Sequence, residues 1–146
     1  MDRDEFLEAT EESHREILAR LDSLDDAALE RPGASGWSPH DLLAHLAVWY
    51  DTATERLGYI AAGRAGEMPQ LGRDEVDAIN DRAIARDRAL TPAQVRQRYR
   101  ASYDALLSAL RSLPPDAWSD EGTRAVIERR IGTPAFRHAA SHLADL

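Results

Sequence analysis

The sequence predicts an all-α protein, an up-down four-helix bundle with one additional short helix. Three observations carry this. Four long stretches repeat apolar residues at helical spacing. Three Ser/Thr-Pro dipeptides, Ser38-Pro39, Thr91-Pro92 and Thr133-Pro134, mark helix starts, with the hydroxyl at the N-cap and the ring in the first turn. Gln94 follows Thr91 by three residues, and Asp41 follows Ser38 likewise, the spacing of a capping box.

The first helix is expected from about Asp4 to Leu21, on a stripe of Phe6, Leu7, Ile17, Leu18 and Leu21. Asp25 to Leu29 adds a short turn, and Arg31-Pro32-Gly33-Ala34-Ser35-Gly36 reads as a loop. The second helix opens at Pro39 and runs to about Ala62, on Leu42, Leu46, Trp49/Tyr50, Ala53, Leu57 and Ile60. Gly63 to Gly72 is a second loop. The third helix spans Arg73 to Arg88, with Val76, Ile79, Ala83 and Ile84 inward. The fourth spans Pro92 to Ser112, and Pro114-Pro115 ends it. Asp116 to Gly132 is open between a short extended segment at Ala125-Val126-Ile127 and a helical turn. The last helix opens at Pro134 and runs to the end of the chain. Residues 1–146 read as a single domain, without an internal repeat or a low-complexity segment.

Composition excludes several classes. The net charge of −8 argues against nucleic-acid binding through phosphates and against docking on anionic lipid. All 18 basic residues are Arg, which reads as a coding bias. With no Cys, disulfides, thiolate metal sites and Cys nucleophiles are absent. No apolar run nears the roughly 20 residues of a spanning helix. The N-terminus is acidic and lacks a secretory apolar stretch. A cytoplasmic location is the expectation.

The histidines carry the chemistry. His138 and His142 lie four residues apart, so they project from one helix face. A third imidazole, His45 on another helix, would complete a triad, and three ligands with an open position is the pattern of a catalytic zinc-type site. At about 100° per residue, His45 and Trp49 lie on the same flank of the Leu46 stripe, and His142 and His138 flank Leu143. That is where a cleft between helices meets solvent. Spacing alone leaves the alternative of separate surface histidines open. Trp49 shares the His45 flank and suits a pocket wall. Asn80, beside Ile79, is either a surface residue or a pocket hydrogen-bonder. His40 points away from His45 and is expected in solvent. His14, between Leu7 and Leu21 on a heptad line, is expected half-buried and bonded to a neighbour. Trp37 and Trp118 read as packing residues, Asp41 as a cap, and the Asp81 to Arg88 alternation as a solvated face.

Gly36-Trp37-Ser38-Pro39-His40-Asp41-Leu42-Leu43-Ala44-His45-Leu46-Ala47-Val48-Trp49 resembles the W-S-x-x-D-L-L-A-H-L-x-x-W signature of the DinB/YfiT-like four-helix-bundle superfamily. Glu75 to Asn80, Thr91 to Val95 and Ser102-Tyr103 resemble its ClbS/DfsB branch. The closing His138-x-x-x-His142 resembles the last metal motif of many members. The resemblance runs from Glu5 to Leu146. It implies a divalent metal, zinc or nickel, on His45, His138 and His142; Trp49 and Asn80 remain the candidate substrate contacts by their positions. It further implies a metal-dependent enzyme, of thiol transferase or hydrolase type, acting on a small electrophilic or thiol-bearing molecule. Members of the ClbS-like branch also act without metal, so a metal-independent protective hydrolase is the alternative. A non-enzymatic small-molecule-binding stress protein is a third, in which leftover apolar surface would serve a homodimer.

Overall fold

Each long helix begins where a side chain takes up N–H groups that the helix itself leaves unpaired. The computed structural model describes residues 1–146. Helix α1 is Arg3–Asp22, capped by Asp2, whose carboxylate accepts from Glu5 N at 2.9 Å while Glu5 accepts from Asp2 N at 2.8 Å. Asp25 caps the short α2, Asp26–Leu29. The reciprocal Ser38/Asp41 box opens α3, Pro39–Ala61, and Glu75 closes back on Gly72 to open α4, Arg73–Asp87. Thr91 and Gln94 form the same device at α5, Pro92–Arg111.

The region 116–132, left open between strand and turn, is helical: α6 is Pro115–Ser119 and α7 is Glu121–Arg130. Asp120 provides the local reason, since its side chain accepts from Thr123 N and starts α7. The last helix is not continuous. Thr133–Arg137 is a π-helical turn, with His138 N donating to Thr133 O. It leads into α8, His138–Ser141, and a closing 3-10 turn, Leu143–Asp145.

Helix α3 is the central element and packs most extensively on α5, then on α4 and the C-terminal segment. Side-chain bonds fix the directions. His40 meets Leu90 and Tyr50 meets Tyr99, so α3 and α5 run parallel. Asp41 pairs with Arg88 and Trp49 with Asn80, so α4 runs antiparallel to α3. Arg96 reaches Leu21 O while Arg111 reaches Glu11, so α1 is antiparallel to α5. The four long helices thus alternate in direction along the chain. Phe6, Ile17, Leu21, Leu43, Leu46, Tyr50, Leu57, Tyr99, Leu106 and Leu110 are fully buried between them. Phe6 packs on Trp118 and edge-on to Phe136 at 5.2 Å, which ties the C-terminal segment to α1. No helix is long and apolar enough to cross a membrane.

Two polar expectations are corrected. His40 is 2% exposed, not solvated, because the link from α4 to α5 lies across the first turn of α3. Its Nε2 bonds the Leu90 carbonyl at 3.1 Å. The Asp81 to Arg88 stretch is not a uniformly solvated face either. Asp87 is 2% exposed and accepts from Arg86 and Arg98, each at 2.7 Å.

His14 is buried, with Nδ1 2.9 Å from the Tyr99 hydroxyl and its ring stacked on Tyr103 at 3.3 Å. Burial, with Arg100 nearby, pushes its pKa from 6.5 down to about 4. The unfolded chain therefore binds the extra proton first, and His14 lowers stability as pH falls from 6.5 toward about 4. In chelator-treated protein, the urea midpoint of His14→Gln should fall less steeply over that window than the parent's. Identical slopes would contradict this.

Candidate metal centre

The three histidines come from two elements that different contacts hold in place. His45 lies in the second turn of α3 and is 4% exposed. His138 opens α8 directly after the π turn. That turn is anchored by Phe136 on Phe6, by Ser13 Oγ donating to Phe136 O at 3.4 Å, and by Arg137 Nη1 donating to Glu128 O at 2.8 Å. Gly132 leaves room for the last contact, since a Cβ there would lie 3.0 Å from Arg137 Nη1. His142 ends α8, one turn after His138.

The rings meet through their Nε2 atoms. His45 Nε2 is 2.9 Å from His138 Nε2, which is 3.0 Å from His142 Nε2. Ring centroids are 4.6, 5.1 and 4.7 Å apart, each pair near perpendicular. The three ring nitrogens lie within 4.8 Å of one another. Nitrogens about 2.0–2.1 Å from a tetrahedral zinc sit about 3.3 Å apart, and the two distances from His138 fall a few tenths of an ångström short of that.

The partners on the far side of two rings fix which nitrogen carries the proton. The Trp49 indole N–H only donates, and it lies 2.8 Å from Asn80 Oδ1. The atom of Asn80 that faces it is therefore the carbonyl oxygen. His45 Nδ1 is 2.8 Å from the same oxygen, so it carries the proton and leaves Nε2 bare. His142 Nδ1 is 3.1 Å from Asp145 Oδ2. The carboxylate can only accept, so in the neutral ring Nε2 keeps the lone pair. The 3-10 turn makes this contact, because residues three apart eclipse in that geometry. No partner fixes the ring of His138. Burial, then the neighbouring His138, pushes His45 from 6.5 down to about 4, against an opposing pull from Asn80. Burial and His142 push His138 to about 4. At neutral pH both are uncharged and able to coordinate. Neutral imidazoles suit zinc, nickel, copper or iron, so the donor set fits a divalent ion.

Trp49 is 8% exposed and stands one turn along α3 from His45. Asn80, half-buried, has its oxygen engaged by His45 and Trp49, while its Nδ2 group bonds nothing in the protein. Two neighbours escaped sequence reasoning. Asp145 was readable as an i,i+3 partner of His142. Trp37, read as packing, packs on a partner that the sequence did not name: its ring lies 5.0 Å from that of His45, a contact set by a loop bent at Gly36, whose φ is 87°. Asp41, turned toward Ser38 and Arg88, acts as a cap and ion-pair partner.

A family model described as the mycothiol maleylpyruvate isomerase N-terminal domain matches residues 10–146. No curated protein and no solved structure shows significant similarity to the chain.

Asn80→Leu should lower zinc affinity by roughly 10–100-fold, the usual cost of losing a group that orients a ligating histidine. Competition against a chromophoric chelator measures it. Unchanged affinity in the folded variant would show that Asn80 does not orient His45.

Proposed function

The chain belongs to the mycothiol maleylpyruvate isomerase N-terminal domain family, of DinB/YfiT-like helical bundles, and from that premise we propose that it is a metal-dependent enzyme. In this reading His45, His138 and His142 hold one divalent ion, zinc or nickel. The substrate is a small electrophilic or thiol-bearing molecule, and the reaction is thiol transfer or hydrolysis. One observation carries the reading: three Nε2 atoms converge, two of them with lone pairs set by Asn80 and Asp145.

A divalent ion there would act as a Lewis acid with open positions, able to lower the pKa of a thiol or water or to polarise a carbonyl. The protein's own groups prepare the place for it. Asn80 and Asp145 hold two imidazoles in the coordinating tautomer. Trp37 lays its indole ring beside His45, and Trp49 shares the Asn80 oxygen with His45. The free Nδ2 group of Asn80 is a donor for a substrate oxygen. The family's description names a mycothiol maleylpyruvate isomerase, which favours a thiol as one reactant. In a metal-independent, ClbS-like enzyme the inward lone pairs of His45 and His142 would have to share one donor, the Nε2–H of His138, whereas a divalent ion would take all three nitrogens, which supports the metal reading.

Zinc- or nickel-loaded protein should consume a small thiol in the presence of an electrophilic haloarene, or hydrolyse a small activated ester. Chelation or His138→Ala should lower the rate by about 100-fold or more. Equal rates with and without metal would contradict the proposal and favour the metal-independent reading.

A further inference from the structure

Two arginines that form no ion pair, Arg56 on α3 and Arg130 at the end of α7, lie beyond the histidines. Positions 45, 49, 52 and 56 follow the i, i+4, i+7, i+11 spacing of one helix face. His45, Trp49, Thr52 and Arg56 therefore form a line on α3. The helical rise puts Arg56 about 16 Å from His45. Arg56 Nη1 donates to the backbone oxygen of Arg130 at 2.9 Å, and Arg130 Nη2 donates to Pro69 O at 2.9 Å. Neither guanidinium has a carboxylate within ion-pair distance, in a chain whose net charge is −8. Nearby Arg64 is paired with Glu67.

A cleft of about 130 Å³ opens beside Arg56, between α3 and the start of α4. Thr52, Arg56, Tyr59, Leu71 and Ile79 line it, with Glu55 as its one acidic residue. Pockets for whole ligands start at about 300 Å³, so this cleft has room for one end group. Arg130 reaches the cleft's edge through Pro69, which lines it, and a partly desolvated cation without an ion-pair partner is costly. Burial, with Arg130 added, holds Arg56 below the usual arginine range. An anion relieves both costs, and a guanidinium offers it paired N–H groups in a plane.

We propose that Arg56 and Arg130 bind the oxyanion end group, carboxylate or phosphate, of an extended small molecule whose reactive end lies at His45, His138 and His142. The inference deepens the functional reading above and rests on it for the reactive end. It assigns the substrate class: a molecule spanning about 16 Å along α3, past Trp49, with a negative terminus.

Two titrations test it. In the first, chelator-treated protein is titrated with inorganic phosphate and, separately, with succinate, followed by amide NMR shifts. Saturable millimolar binding is expected, weakened about tenfold in Arg56→Gln and in Arg130→Gln and unchanged in the His138→Ala/His142→Ala double variant. The two ions separate a phosphate from a carboxylate preference. No saturable binding, or binding unchanged in both arginine variants, overturns the subsite. Arg130→Gln, at a half-exposed position, decides if Arg56→Gln unfolds. In the second, zinc-loaded protein meets a long-chain ω-mercaptocarboxylate and the matching ω-mercaptoalcohol. The acid should bind about tenfold more tightly, an advantage lost in the arginine variants. Equal affinity overturns the claim that one ligand joins the two places. Failure of zinc to bind would sink the functional reading and the joined ligand together, whereas the phosphate titration still decides the arginine subsite.

Discussion

An indole N–H has a proton to give and no lone pair to offer. That fact sets the polarity of the chain Trp49–Asn80–His45, because it turns the Asn80 oxygen inward and puts the His45 proton on Nδ1. The free lone pair of His45 then points at His138. The chain links α3 to α4, so the seating of α4 on α3 and the chemistry of His45 depend on the same bonds. Without Asn80 the imidazole could turn its N–H toward the other two rings.

The opposite half of the centre depends on how the end of the chain is tied down. A C-terminal segment this short has little helical stability of its own. It is held by tertiary contacts: Phe136 on Phe6, Ser13 on the Phe136 carbonyl, and Arg137 folded across Gly132 to Glu128. The π turn at Thr133–Arg137 spreads five residues over what would be little more than an α-turn, and so sets the register at which His138 emerges. The following 3-10 turn brings Asp145 back over His142. Three kinds of helix in thirteen residues thus serve one purpose, the aiming of two imidazoles.

The four long helices were legible because caps and periodicity are local. Ser38-Pro39, Thr91-Pro92 and the Asp41 and Gln94 that answer them sit in the structure as the spacing implies. The nearness of His138 to His142 was legible for the same reason; His45 was a candidate from its helix flank, but spacing could not bring it to the pair, and the superfamily signature was what tied the three together. What was not legible is tertiary. Periodicity places His40 in an exposed first turn, yet the α4–α5 link covers it. Asp87 belongs to an alternating charged run, yet Arg98 from α5 draws it inside. The role of Asn80 depends on two residues of a neighbouring helix, and the approach of Trp37 to His45 depends on a loop. The Arg56–Arg130 pair joins positions far apart in sequence, with nothing in either local pattern to connect them.

The central claim is that His45, His138 and His142 form a single metal site. Its most direct test is the metal content of purified, untagged protein after dialysis, measured by elemental analysis beside the His138→Ala/His142→Ala variant. The account predicts about one zinc or nickel ion per chain in the parent and none in the variant. A parent that stays metal-free after incubation with zinc and with nickel would contradict it.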